Sequence, residues 1–303
     1  MTTAPTVFDR ALVRKRLARA IEGRFAGFLL ERAALDLEER LSAVSRPFPL
    51  AVDIGTPTPI AAEIVARSRP GTAIARIAPA PGPASFIPTA LGDEERLPIG
   101  PESVDLAVSL LALQSVNDLP GALLQIRRAL RPDGLLLACL FGGDTLTELR
   151  QAFAAAEAEM EGGASPRVAP FADVRSLGGL LQRAGFALPV VDLETVTVRY
   201  RDAFRLMQDL RAMGLTNALA ERRRAPLRRA TLIRMAAFYA ERFADPDGRI
   251  RATFDIVWLS GWAPHESQQK PLRPGSAQAR LADALGVREH RPDMPSGGEG
   301  GTG

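Results

Sequence analysis

From residue 8 to 45, apolar residues recur at spacings of about three to five: Leu12, Leu17, Ile21, Phe25, Phe28 and Leu29, with arginines between them. Leu35, Leu37 and Leu41 continue the pattern until Pro47 and Pro49 end it, so residues 1–45 are expected to form a helical extension. The pattern then changes. FPLAVDI, TAIARIA, SVDLAVSLLAL and LLLACLF are short apolar runs that predict strands, and ASFIPTA predicts a further short one. Between them PIAAEIVARS and DLPGALLQIRRAL predict helices, and Pro132-Asp133-Gly134 marks a turn.

Strands that are apolar on both faces and alternate with helices argue a parallel sheet covered on either side. Further helices are expected at DTLTELRQAFAAAEAEM, at VRSLGGLLQRAGF and across residues 201–243. VVDLETVTVRY and ATFDIVWLSGW flank that last region and suit an antiparallel pair. The main domain is expected over 46–262. From 263 to 303 proline, glycine and charge predominate, and the composition of GGEGGTG predicts an extended, disordered tail.

Composition narrows the chemistry. The 303 residues are 46% hydrophobic and 24% charged, as in an ordinary globular protein. A net charge of +3 gives no reason to expect nucleic acid. One cysteine, Cys139, excludes an internal disulfide or a thiolate cluster, and its apolar run predicts a buried strand thiol. The pair His265-Glu266 lacks further ligands at useful spacing, so no metal is expected. No run approaches the ~18 apolar residues of a membrane span. The N-terminus lacks an apolar signal core, and a cytoplasmic protein is the default expectation.

In a doubly wound sheet the ligand sits at the carboxyl ends of the strands. The stretch AVDIGTPTP offers Asp53, Gly55 and Thr56 for a first turn, where a free backbone can approach a ligand. Asp93 and Glu94 would follow the third strand, and Ser109 lies at the end of the next. The second strand ends with Arg76 where an acid for ribose hydroxyls is sought, and arginine has donors only. Arg76 is then either a surface residue or a ligand for an anion. Pro57 and Pro59 remove two amide donors from the turn. Asp144, after Gly142-Gly143, is a candidate catalytic acid or a helix cap. The basic run ERRRAPLRRATLIR suits an acidic partner, a membrane surface or plain solvent.

The segments FDRALVRKR, DEERLP, VNDLPGALLQIRRALRPDG, FGGDTLTELR, MQDLRAMGLTNA and GWAPHESQQKPLRPGSA together resemble the respiratory complex I assembly factor 5 family. The likeness covers about residues 8 to 277. It implies a doubly wound, seven-stranded class I methyltransferase (Rossmann-like) sheet, with N-terminal helices and a helical insertion before the last strand. It also implies S-adenosylmethionine as cofactor, and a protein substrate or partner such as a complex I subunit, modified on arginine in the mitochondrial members. A position peripheral to the inner membrane would follow. Asp53, Gly55, Asp93 and Asp144 fit the family pattern, whereas Pro57, Pro59 and Arg76 depart from it. Three readings stay open: a methyl-transferring enzyme, a non-catalytic partner-binding descendant, and an enzyme that has changed its ligand. The N-terminal helix is a candidate lid over the cleft.

Overall fold

The computed structural model describes residues 6–83 and 85–268. One unit ends at His265 and a second begins at Glu266, so the tail expected over 263–303 falls largely outside the described residues, as does His290. The helical extension is broken in two. Helix α1, Arg10–Glu22, starts where the Asp9 carboxylate accepts the Leu12 amide, an ordinary N-cap. Helix α2 follows at Phe28–Ser42. Gly23 and Gly27 weaken helix propensity between them. The Ala26 amide is also drawn away to the carbonyl of Ala212, which turns the chain.

Seven strands form one sheet: β1 Leu50–Ile54, β2 Ala73–Ala78, β3 Thr89–Leu91, β4 Val104–Leu110, β5 Leu130–Phe141, β6 Ala187–Tyr200 and β7 Ile250–Trp262. Their order is β3-β2-β1-β4-β5-β7-β6, with β7 antiparallel to both neighbours and the other pairs parallel. This is the expected doubly wound α/β class. The β6–β7 pair expected from VVDLETVTVRY and ATFDIVWLSGW is present. The strand expected from ASFIPTA shrinks to Thr89–Leu91, displaced past Pro88.

Alternation along the strands separates two cores. Leu106, Val108, Leu137, Cys139, Phe254 and Trp258 face α2, α3 (Ile60–Ser68), α5 (Thr147–Glu161), α7 (Ala203–Ala212) and α8 (Arg229–Phe243). Val52, Ile54, Leu136, Ala138, Val257 and Leu259 face α4 (Leu119–Ala129) and α6 (Val174–Arg183). Cys139 is wholly buried in β5, and burial pushes its thiol up to about 12.

The insertion before β7 is helical only at its two ends. Helix α7 stops at Met213, and Gly214 takes a left-handed φ of +77°. A Cβ at Gly214 would lie 3.0 Å from the Leu17 backbone, so glycine is needed both for the turn and for the close approach of α1. Residues 213–228 are irregular, and the basic run reaches a helix only at Arg229. Among the described residues no helix is long and apolar enough to cross a membrane.

Candidate functional site

Strand order reverses between β1 and β4, the place where such sheets bind ligands. Asp53, the last residue but one of β1, is fully buried. Gly55 follows with φ +74°, and its amide bonds to the Ile77 carbonyl at 2.8 Å. Thr56 is also fully buried; its hydroxyl accepts the Leu110 amide at 3.0 Å, tying the turn to β4. Pro59 then leads directly into α3.

The space usually left open above such a turn is filled. Arg76 stands beside Asp53 in the parallel register of β1 and β2, with only 4% of its surface exposed. Its Nε donates to Asp53 Oδ2 at 3.0 Å and its Nη2 to the Thr56 carbonyl at 2.8 Å. The expectation of a surface arginine is therefore corrected. An anion-holding role is also disfavoured, because the guanidinium already serves an internal carboxylate. A Cβ on Gly55 would come within 2.7 Å of Glu94 Oε1 and 3.0 Å of Ala112 Cβ, so the approach that the glycine permits is taken by the protein's own side chains.

The other wall is closed from the N-terminus. Arg10 Nη2 donates to Asp93 Oδ1 at 3.1 Å and also pairs with Glu94, while Arg14 pairs with the second oxygen of Asp93. Arg10 Nη1 reaches the Ser115 carbonyl at 3.1 Å. Asn117 fixes the chain just before α1: its Oδ1 accepts the amides of Val7 and Phe8 at 2.8 and 2.7 Å, and its Nδ2 donates to the Phe8 carbonyl. The candidate lid is thus latched down. Burial raises Glu94, and the opposing Arg10 only partly offsets it. Burial also acts to raise Asp93, but the Glu95 amide, Arg14 and Arg10 outweigh it and hold that carboxyl below its ordinary value. What remains between Arg10, Gly55, Pro57 and Glu94 is a cavity of about 50 Å³. Small-molecule sites are typically about 300–1,000 Å³.

As they stand, these residues leave an adenosyl cofactor little room. Its ribose would need acceptors where Arg76 presents donors already engaged, and its volume would require Arg10 and Arg14 to leave their carboxylates. The buried pair also sets a pH dependence. Burial pushes the Asp53 carboxyl up to about 6 from an ordinary 3.8, with Arg76 and Thr56 pulling against it. The native state therefore holds this proton more tightly than the unfolded chain. The group favours folding below pH 3.8, and that contribution is lost as pH rises through about 6. At about 1.4 kcal/mol per pH unit the loss approaches about 3 kcal/mol. Urea unfolding between pH 4 and 7 should show this fall in the natural chain, and Asp53→Asn should flatten it.

Ser109 is fully buried in β4 beside Ala138, and its hydroxyl meets no partner. Asp144 lies on an exposed turn; its amide, not its carboxylate, bonds to Asp255 Oδ2 at 3.2 Å. Helix α5 begins after Leu146 without a side-chain cap, so the cap reading of Asp144 is corrected. Next to the sealed cleft, past the end of β5, lies a cavity of about 280 Å³ walled by α5, α7 and the chain around Phe171. Among the described residues no group of His, Cys, Asp or Glu is arranged to hold a metal ion. The roles of Arg10, Arg76 and Asn117 were not readable in advance, because each depends on a partner distant in sequence.

Known proteins resemble this chain throughout. A family model described as a methyltransferase domain matches residues 62–138. "Arginine-hydroxylase NDUFAF5, mitochondrial" of Rattus norvegicus is 42% identical over 289 residues, covering 92% of this chain and 84% of that protein. The Homo sapiens protein of the same name is 42% identical over 286 residues, covering 91% and 83%. A malonyl-[acyl-carrier protein] O-methyltransferase of Gallionella capsiferriformans is 31% identical over 275 residues, covering 85% and 92%. Among solved structures, a methyltransferase-type protein from Bacillus halodurans superposes with a TM-score of 0.52 at 13% identity, over 77% of this chain and 99% of that one, a likeness of fold alone.

Proposed function

The chain belongs to the NDUFAF5 family of methyltransferase-fold proteins, and from that premise we propose that it acts as a partner-binding factor in the assembly of a respiratory complex, without using S-adenosylmethionine. The observation that carries this is the Arg76–Asp53 pair: an arginine from β2 occupies the ground between the first two strands where a nucleoside would be held. Arg10, Arg14 and the Asn117 latch complete the closure from the other side. Together they turn a ligand cleft into an internal ion-pair network, and the fold's outer surface remains to recognise a protein.

The partner is a protein of the complex under assembly, and contact with the membrane surface is peripheral, in the cytoplasm. The arginine hydroxylation in the relatives' name concerns those proteins.

Calorimetric titration of the full chain with S-adenosylmethionine and S-adenosylhomocysteine tests the proposal. No heat is expected up to millimolar ligand. Binding at micromolar strength would overturn it and restore the methyl-transferring reading, with the 280 Å³ cavity as the place for an acceptor.

A further inference from the structure

The cavity beside the sealed cleft has walls of a particular kind. Phe141, Leu149, Phe153, Phe171, Met207 and Leu210 make it apolar, with aliphatic and aromatic walls together. At about 280 Å³ it is nearly twice the ~150 Å³ apolar cavity known to admit benzene. At about 30 Å³ per water-sized group, it has room for roughly nine such groups. The polar groups in its lining are mostly committed elsewhere. Thr145 Oγ1 donates to the Asp255 carbonyl and accepts the Asp255 amide. Arg167 is neutralised by the buried Glu157. Asn217 donates to the Pro166 carbonyl and accepts the Leu219 amide.

Arg211 differs from these. It lies in the last turn of α7, and it is the one exposed member of the described lining. No acidic side chain among the described residues pairs with it. Arg16, from α1, donates to the carbonyl of Asn217 in the same lining. An apolar chamber thus opens beside a cation with no acidic partner among the described residues, an arrangement suited to a molecule with one apolar part and one negative end.

We propose that this chamber binds a single-chain anionic amphiphile, with an apolar body of about eight to twelve carbons inside and its carboxylate or phosphate at Arg211. The size limit excludes the long paired chains of a bilayer lipid held whole. The two cavities share Gln114, Ser115 and Gly214 in their walls, but this test reads a different ligand and different variants, so its outcome is distinguishable from that of the cofactor titration.

Calorimetry of the full chain with decanoate, and with decanol as the uncharged counterpart, reads the proposal directly, both kept below their micelle or solubility limits. Decanoate is expected to bind at least about tenfold more tightly than decanol, because one head meets Arg211 and the other does not. Arg211→Leu, at an exposed position, should bring the two ligands level while leaving the thermal midpoint unchanged. Leu149→Trp should abolish both by filling the chamber; where that variant fails to fold, Met207→Trp, at a half-buried position, serves instead. Equal affinity for decanoate and decanol in the natural chain, no binding of decanoate at millimolar concentration, or undiminished decanoate binding in a folded, filled variant would overturn the proposal.

Discussion

Replacing Arg76 with alanine is expected to cost the fold about 3–5 kcal/mol at neutral pH, the range found when one partner of a buried ion pair is removed. Asp53 is fully buried, and the Arg76 guanidinium is the charge beside it, at 3.0 Å. The substitution leaves a carboxylate in low dielectric and the Thr56 carbonyl without the donor at 2.8 Å that it now has. Urea unfolding at pH 7 measures the loss. The same comparison at pH 5 should give a smaller penalty, since the Asp53 carboxyl, already pushed up to about 6, can take up a proton there. Adding Asp53→Asn to Arg76→Ala should recover part of the stability, because no charge is then stranded. A penalty independent of pH would mean that packing, not charge, holds the two strands together at this point.

Glu157→Ala is expected to be comparably severe, again about 3–5 kcal/mol. This carboxylate is 1% exposed on α5. One oxygen accepts Arg167 Nε at 2.7 Å, and the other accepts the amide and hydroxyl of Ser165 at 2.7 and 3.0 Å. Arg167, Val168, Ala169 and Phe171 form one wall of the apolar chamber, so the substitution should loosen that wall as well as lower global stability. Glu157→Gln should lose less, because an amide oxygen can still accept from Ser165. Unfolding midpoints give the stability term, and decanoate affinity in each folded variant gives the effect on the chamber.

The sheet was legible where burial on both faces leaves a continuous apolar run, as in SVDLAVSLLAL and LLLACLF, and where strict alternation marks a long antiparallel strand, as in VVDLETVTVRY. The turn Asp53-Gly55-Thr56 was legible because left-handed backbone selects glycine. Arg76 was not. Alternation places it on a face of β2, but only the register with β1, which no local pattern encodes, sets it against Asp53. The same limit applies to Arg10 and Asn117, whose partners lie more than eighty positions away. The break in the N-terminal helix had a local sign in Gly23 and Gly27, as did the irregular stretch 213–228 in Gly214, Asn217 and Pro226. Periodicity alone read through those residues, because apolar positions continue on either side of them.

The position of Cys139 has a practical use. It is the chain's one thiol, it sits in a central strand with no exposed surface, and burial pushes its ionisation up to about 12. An alkylating reagent can reach it only when β5 separates from its neighbours, which amounts to global opening rather than local fraying. The rate of its modification under native conditions therefore reports whole-molecule opening: the population of the open state when reclosing is faster than alkylation, and the unfolding rate itself when reagent is concentrated enough to outpace reclosing. The native chain thus carries its own clock for kinetic stability, against which each substitution above can be timed without denaturant.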